Sequence, residues 1–93
     1  MRGPLFSIKT VRNEGRKKYR VAVVVSRKVC KSAVGRNRMR RRLYATVREL
    51  ADAIQEPYDI VITVFHDALL ETPAGELKKQ VRTQLKAAGI LAE

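Results

Sequence analysis

RVAVVVSRKVCKSAVGRNRMRRRLYATVREL, residues 20–50, changes both its periodicity and its charge part-way along. YRVAVVVS (19–26) is rich in β-branched residues and almost continuously apolar, the pattern of a buried central strand. From Ala33 the apolar residues recur at helical spacing. Met39, Leu43, Val47, Leu50 and Ile54 fall within about 80° of one another at 100° per residue, which makes a stripe that packs on a sheet. Ser32 is placed to cap a helix of about 33–54. Between them, RKVCKS (27–32) either continues the strand or forms a short extra one.

The rest of the chain fits an α+β arrangement around this pair. PLFSIKTV (4–11) alternates and reads as a strand. RNEGRKK (12–18) is a polar turn, so antiparallel pairing of strands 4–11 and 19–26 is the expected hairpin. Pro57 closes the helical region. YDIVITVF (58–65) is a further buried strand, and HDALLE a loop or single turn. Thr72-Pro73 opens a second helix of about 73–88, with proline at its first position and Gly89 at its end. Ninety-three residues in all make one domain, 1–93.

Charge bounds the function. Residues 1–48 hold 16 Lys or Arg and one acid, Glu14, a net +15; residues 49–93 hold 4 basic and 8 acidic residues, a net −4. Such asymmetry implies a polyanionic partner. Nucleic acid fits better than a membrane, because no segment shows the Trp/Phe/Leu face of a membrane-surface helix. The apolar runs VAVVV and IVITVF are strand-length and too short to span a bilayer. MRGPLFSI has no apolar core of signal-peptide length. The single cysteine, Cys30, excludes an internal disulfide and fits a reducing, cytoplasmic setting.

Six arginines lie between 36 and 48, and no acid interrupts them before Glu49. Asn37, Arg41, Tyr44 and Arg48 form a stripe on the far side from the apolar one. Arg38 and Arg42 form a third, Arg40 sits at the edge of the apolar stripe, and Arg36 lies one turn before it, where helix meets strand. Like charges at i, i+4 oppose helix formation, and cations in the first turns oppose the macrodipole. Folding gives no reason for this placement; polyanion binding does. The dominance of Arg over Lys favours planar, bidentate phosphate contacts and base stacking. RNRMRRR also looks like the basic region of a leucine-zipper DNA-binding protein, yet no heptad series follows. Asn37 carries no charge, so it serves either directed hydrogen bonds or a cap near the helix start.

No catalytic set is visible. His66 stands without a second His or a Cys, so a metal cluster is not indicated, and His66-Asp67 reads as a satisfied loop pair. Cys30 reads as a small packing residue, although nearby cations bear on its thiol. One acid among residues 1–48 gives little support to a protein nuclease with a carboxylate-held metal pair. Phe6 is either a stacking platform for a single strand or a core residue.

Residues 20–50 also resemble the signature region of the protein subunit of bacterial ribonuclease P. That family shows an apolar strand ending in Ser and two basic residues, a short connection with Ala, then Arg-Asn-Arg, an apolar residue, two basic residues and an Arg-Glu pair. Here these are Ser26, Arg27, Lys28, Ala33, Arg36, Asn37, Arg38, Met39, Arg40, Arg41, Arg48 and Glu49. YDIVITV and GELKKQVRTQLKAAGIL are similar to the family's last strand and last helix, so the likeness covers essentially the whole chain. Two departures stand out. VCKSA replaces the family's usual Val-Gly-Asn-Ala, and the usual N-terminal helix is expected to be absent from this chain.

The resemblance implies a two-layer α/β sandwich with a four-stranded sheet packed by helices and a left-handed β-α-β crossover, similar to a ribosomal protein domain. It implies an RNA-binding subunit of an endoribonuclease that removes the 5′ leader of precursor tRNA. Catalysis then rests with the RNA subunit and its magnesium, and no cofactor is bound firmly by the protein. By position, Arg36, Asn37 and Arg40, with Phe6, belong to the leader cleft, and Lys28, Arg38, Arg41 and Arg42 face the catalytic RNA. With Arg27, Lys31 and Arg48 these basic residues and Asn37 make up the RNA-binding set. The partners are the catalytic RNA, with one protein copy per RNA, and the precursor's leader, with no membrane. A structural or ribosome-associated RNA-binding protein without an associated reaction, and a basic-helix DNA-binding protein, are the alternatives.

Overall fold

The computed structural model describes residues 3, 5–15, 18–54 and 57–91. Pro4, where the first strand was expected to begin, and residues 16–17 of the expected turn lie outside them. The elements in chain order are β1 (Phe6–Arg12), β2 (Arg20–Val24), α1 (Ala33–Glu49), a 3-10 turn (Ala51–Ala53), β3 (Tyr58–Val64), a second 3-10 turn (Asp67–Leu70) and α2 (Ala74–Ala87).

The sheet is ordered β1-β3-β2. β1 runs antiparallel to β3, with Ile8 opposite Ile62, and β2 runs parallel to β3, with Val23 opposite Ile62. The expected hairpin of β1 with β2 is therefore not formed: β3 lies between them, and the segment after β1 crosses its end. That crossing covers two strand spacings, roughly 9.5 Å. Asp59 on β3 holds both sides of it. Its Oδ2 accepts from Asn13 Nδ2 at 3.1 Å and from Arg20 Nη2 at 3.3 Å, while Asn13 N–H donates to Pro57 O at 2.7 Å. The β2–α1–β3 path supplies the β-α-β unit that joins the parallel pair.

Among the described residues the sheet has three strands, not four. Arg27–Val29 form a turn, because the N–H groups of Val29 and Cys30 both donate to Ser26 O. β2 is not a central strand either. Its Val23 is buried, but Ala22 and Val24 are exposed, Val24 by 50%. β3 takes the centre, with Ile60, Ile62 and Val64 turned to the core.

Both helices cover one face of the sheet. α1 lies against β2 and α2 against β1. The α1 stripe Met39, Leu43, Val47 is buried, as are Leu50 and Ile54 beyond it. These meet Leu77, Val81 and Leu85 of α2 and the inner sheet residues in one core. Ser32 caps α1, its Oγ accepting from Gly35 N–H at 3.1 Å. The helix ends at Glu49 rather than near 54: Leu50 and Ala53 donate N–H bonds three residues back, so the chain tightens into 3-10 geometry while keeping its apolar side inward. α2 begins at Ala74, with Pro73 as its cap residue. It closes on Gly89, whose φ of +80 suits a residue without Cβ; Ile90 N–H donates to Leu85 O and Gly89 N–H to Lys86 O. The buried Gln84 ties α2 to β1 by donating from Nε2 to Phe6 O at 3.1 Å.

Candidate nucleic-acid interface

The basic residues divide by what their side chains already hold. Arg42, in the middle of α1, is half-buried. Its Nη1 donates to the carbonyl oxygens of Leu69 and Leu70, and its Nη2 to that of Thr72. These carbonyls end the 3-10 turn and lead into α2, so they lack helical partners and attract a cation. Arg42, one of the residues implied to face the RNA, thus has a structural role here: the guanidinium fastens the β3–α2 connection to α1.

Arg36 bridges the other connection. Its Nη1 donates to Cys30 O at 2.9 Å and Lys31 O at 3.0 Å, which holds the β2–α1 segment against the start of the helix. Beside it, Gly35 sits so close to Cys30 that an added Cβ would meet Sγ at 2.7 Å. Cys30 Sγ lies 3.7 Å from Ser32 O, consistent with a small packing residue. Arg40 Nη2 donates to Asn37 Oδ1 on the helix surface. Asn37 is therefore not the cap, since Ser32 fills that place.

Arg38, Arg41 and Arg48 are exposed, and their guanidinium groups have no protein partner among the described residues. The same holds for the side chains of Arg27, Lys28 and Lys31, at the turn and connection before α1. Acids near α1 are few: Glu49 closes the helix and pairs with Lys78 of α2 at 3.5 Å. The surface formed by the β2–α1 connection and the outer side of α1 thus presents uncompensated cations, with the neighbouring arginines fixing the backbone beneath them.

Phe6, a candidate stacking residue, falls elsewhere, and His66 is the satisfied loop residue it was read as. Phe6 has no exposed surface and packs in the core between the sheet and α2, so it offers no face to a base. His66 Nδ1 accepts from Ala68 N–H at 2.9 Å and caps the second 3-10 turn.

The aromatic component lies on α1 and immediately before β2 instead. A cavity of about 460 Å³ opens between them, lined by Tyr19, Val21, Arg41, Tyr44, Ala45 and Arg48. The sequence placed Tyr44 with Arg41 and Arg48 on one stripe of α1. It carried no signal that Tyr19 and Val21 complete the wall, because that depends on α1 lying against β2.

The family model described as Ribonuclease P matches residues 1–89. The chain belongs to the ribonuclease P family. It is 38% identical over 72 residues to the ribonuclease P protein component of Synechococcus elongatus, covering 77% of this chain and 59% of that protein. To the ribonuclease P protein component of Lactobacillus johnsonii it is 31% identical over 87 residues, covering 94% of this chain and 70% of that protein. This chain thus spans about three fifths of the length of the first of these relatives. The fold agrees. The Staphylococcus aureus RNase P protein superposes with a TM-score of 0.82 at 20% identity, covering 99% of this chain and 82% of that one. The Thermotoga maritima RNase P protein gives 0.80 at 22%, covering 94% and 80%. The Arg-Asn-Arg block that carried the resemblance, Arg36–Arg38, lies on the first turns of α1.

Proposed function

We propose that this chain is the RNA-binding protein subunit of a cytoplasmic ribonuclease P. It binds the catalytic RNA, one copy per RNA, and assists endonucleolytic removal of the 5′ leader from precursor tRNA. The observation that carries this reading is the cationic surface of Arg27, Lys28, Lys31, Arg38, Arg41 and Arg48, unpaired among the described residues, in a chain of the ribonuclease P family. Phosphates replace the missing acids as partners, and each contact releases counterions. Arg36, Asn37 and Arg40 sit beside this surface. Among the described residues Arg36 bonds the backbone through Nη1 only, so its other donors have no partner there and suit a phosphate or base edge of the leader.

Magnesium in this reading is held by the RNA. Residues 1–48 carry one carboxylate, Glu14, and so do not make a cation site of their own. The protein's contribution is positioning and neutralisation of charge. A free basic-zipper helix is disfavoured, because Met39, Leu43 and Val47 are buried in the chain's own core and leave no dimer seam.

The test is reconstitution with the cognate RNA subunit and single-turnover cleavage of precursor tRNA at limiting magnesium. The expected result is tight assembly and faster cleavage with protein than without. RNA binding with no change in cleavage would favour a structural RNA-binding protein instead.

A further inference from the structure

We propose that the cavity between α1 and β2 is a binding site for one unpaired ribonucleotide, its base seated against Tyr19 and Tyr44 and its phosphate held by Arg41 and Arg48. The inference deepens the RNA-binding reading and rests on it. Four observations converge. The cavity, about 460 Å³, lies within the roughly 300–1,000 Å³ typical of small-ligand sites. Its lining joins two aromatic side chains and two guanidinium groups to an apolar floor of Val21 and Ala45. Among the described residues, neither tyrosine side chain nor either guanidinium has a hydrogen-bond or ion-pair partner. Finally, three arginines of the same helix, Arg36, Arg40 and Arg42, are engaged within the protein, whereas the two that line the cavity, like Arg38 outside it, have no partner among the described residues.

The chemistry selects a nucleotide. A bare phosphate or sulfate has no use for two aromatic residues, and an apolar peptide side chain has none for two guanidinium groups. Aromatic faces accept any base by stacking, and arginine adds both phosphate contact and cation–π attraction. The pocket backs onto β2, an edge strand, so a base turned out of its helix reaches it without a strand in the way. A base paired within a duplex does not, because its faces are already stacked.

The experiment uses the full chain and its Tyr44→Leu and Tyr19→Leu variants, each of which keeps the net charge, with Arg38→Ala as a cation removed outside the cavity. Melting curves confirm that all are folded. Affinity is measured for a single-stranded oligoribonucleotide and for a perfect duplex of the same length. Each tyrosine variant is expected to lose about five- to hundred-fold for the single strand, the range of one lost base stack. Each is expected to lose less than two-fold for the duplex, while Arg38→Ala weakens both. Equal affinities of wild type and tyrosine variants for both RNAs overturn the nucleotide site and leave the electrostatic reading standing. A wild type that binds neither RNA overturns both. Repeating the Tyr44→Leu measurement with the cognate RNA subunit, and with precursor tRNA on the assembled complex, shows which RNA supplies the nucleotide. Loss with neither overturns the proposal.

Discussion

The guanidinium of Arg42 donates to the carbonyl oxygen of Leu69, 27 residues further along the chain. With the bonds to Leu70 and Thr72 it joins α1 to the segment that leads into α2. Hydrogen bonds to a charged group contribute about 1.5–3 kcal/mol, and carbonyls left without a donor add to the loss. Arg42→Ala is therefore expected to destabilise the domain by about 2–3 kcal/mol in urea unfolding. Arg41→Ala, one residue earlier and exposed, should stay within about 0.5 kcal/mol of wild type. Arg42→Lys should recover part of the loss only, since a single ammonium nitrogen does not span the carbonyls that Nη1 and Nη2 divide between them. Equal midpoints for Arg41→Ala and Arg42→Ala would show that the carbonyl bonds contribute nothing.

Met39 and Leu43 set the face of α1 that meets the sheet. Both have no exposed surface. Aspartate at either place puts an unpaired carboxylate in the core, at a cost comparable with a total stability of about 5–15 kcal/mol. Met39→Asp and Leu43→Asp should be unfolded at 25 °C by circular dichroism, whereas Arg38→Asp on the exposed side should fold. A folded Leu43→Asp would mean that the helix is turned differently about its axis.

Phe6 separates a core role from an RNA-contact role. It is fully buried, and Gln84 bonds its carbonyl. Phe6→Leu should lower stability by about 1 kcal/mol, the usual scale of a point substitution. It should leave single-stranded RNA affinity within two-fold when measured well below the melting temperature. A stacking residue would behave the opposite way, holding stability and losing about 1–3 kcal/mol of binding.

Gly35 illustrates how a contact across the cap decides a residue that propensity would not choose. Glycine in a helix costs about 1 kcal/mol relative to alanine. Here an alanine Cβ would stand 2.7 Å from Cys30 Sγ, a distance real contacts do not reach, so something must move. Gly35→Ala alone should destabilise. Placed on a Cys30→Ala background, the same substitution should stabilise by about 0.5–1 kcal/mol. The readout is the coupling in a double-mutant cycle; additive effects would remove Cys30 as the reason for the glycine.

What the sequence made legible follows from range. The stripe from Met39 to Ile54, the Ser32 cap and the Gly89 terminus each depend on residues within a few turns, and all three stand where the spacing put them. Strand pairing does not depend on near neighbours. The polar stretch after β1 looked like a hairpin turn, yet it crosses β3, and nothing local distinguishes the two. β2 also looked central, because Val21 to Val25 are apolar whether or not both faces are covered. The division among the arginines was out of reach for the same reason. Helical spacing put Arg38 and Arg42 on one stripe, but the carbonyls that engage Arg42 belong to residues 69–72. Tyr19 and Arg48 likewise share a cavity only because α1 lies on β2.

That division can be read in solution from the salt dependence of RNA binding. Each phosphate neutralised contributes roughly 0.7 to the log–log slope for a single strand, and about 0.9 for a duplex of the B-DNA type. If the cations act as the structure divides them, Arg38→Ala, Arg41→Ala and Arg48→Ala should each flatten the slope by about that amount. Arg42→Ala should leave the slope nearly unchanged while lowering the melting temperature, because its charge is already held by three carbonyls. Arg36→Ala should do both in part, since one of its two terminal nitrogens bonds the backbone. Measuring affinity between about 50 and 200 mM salt for the five variants is sufficient. Five equal decrements would mean that the arginines form one undivided patch and that Arg42 leaves its carbonyls when RNA arrives. A slope near zero for the wild type would remove phosphate contacts as the source of binding altogether.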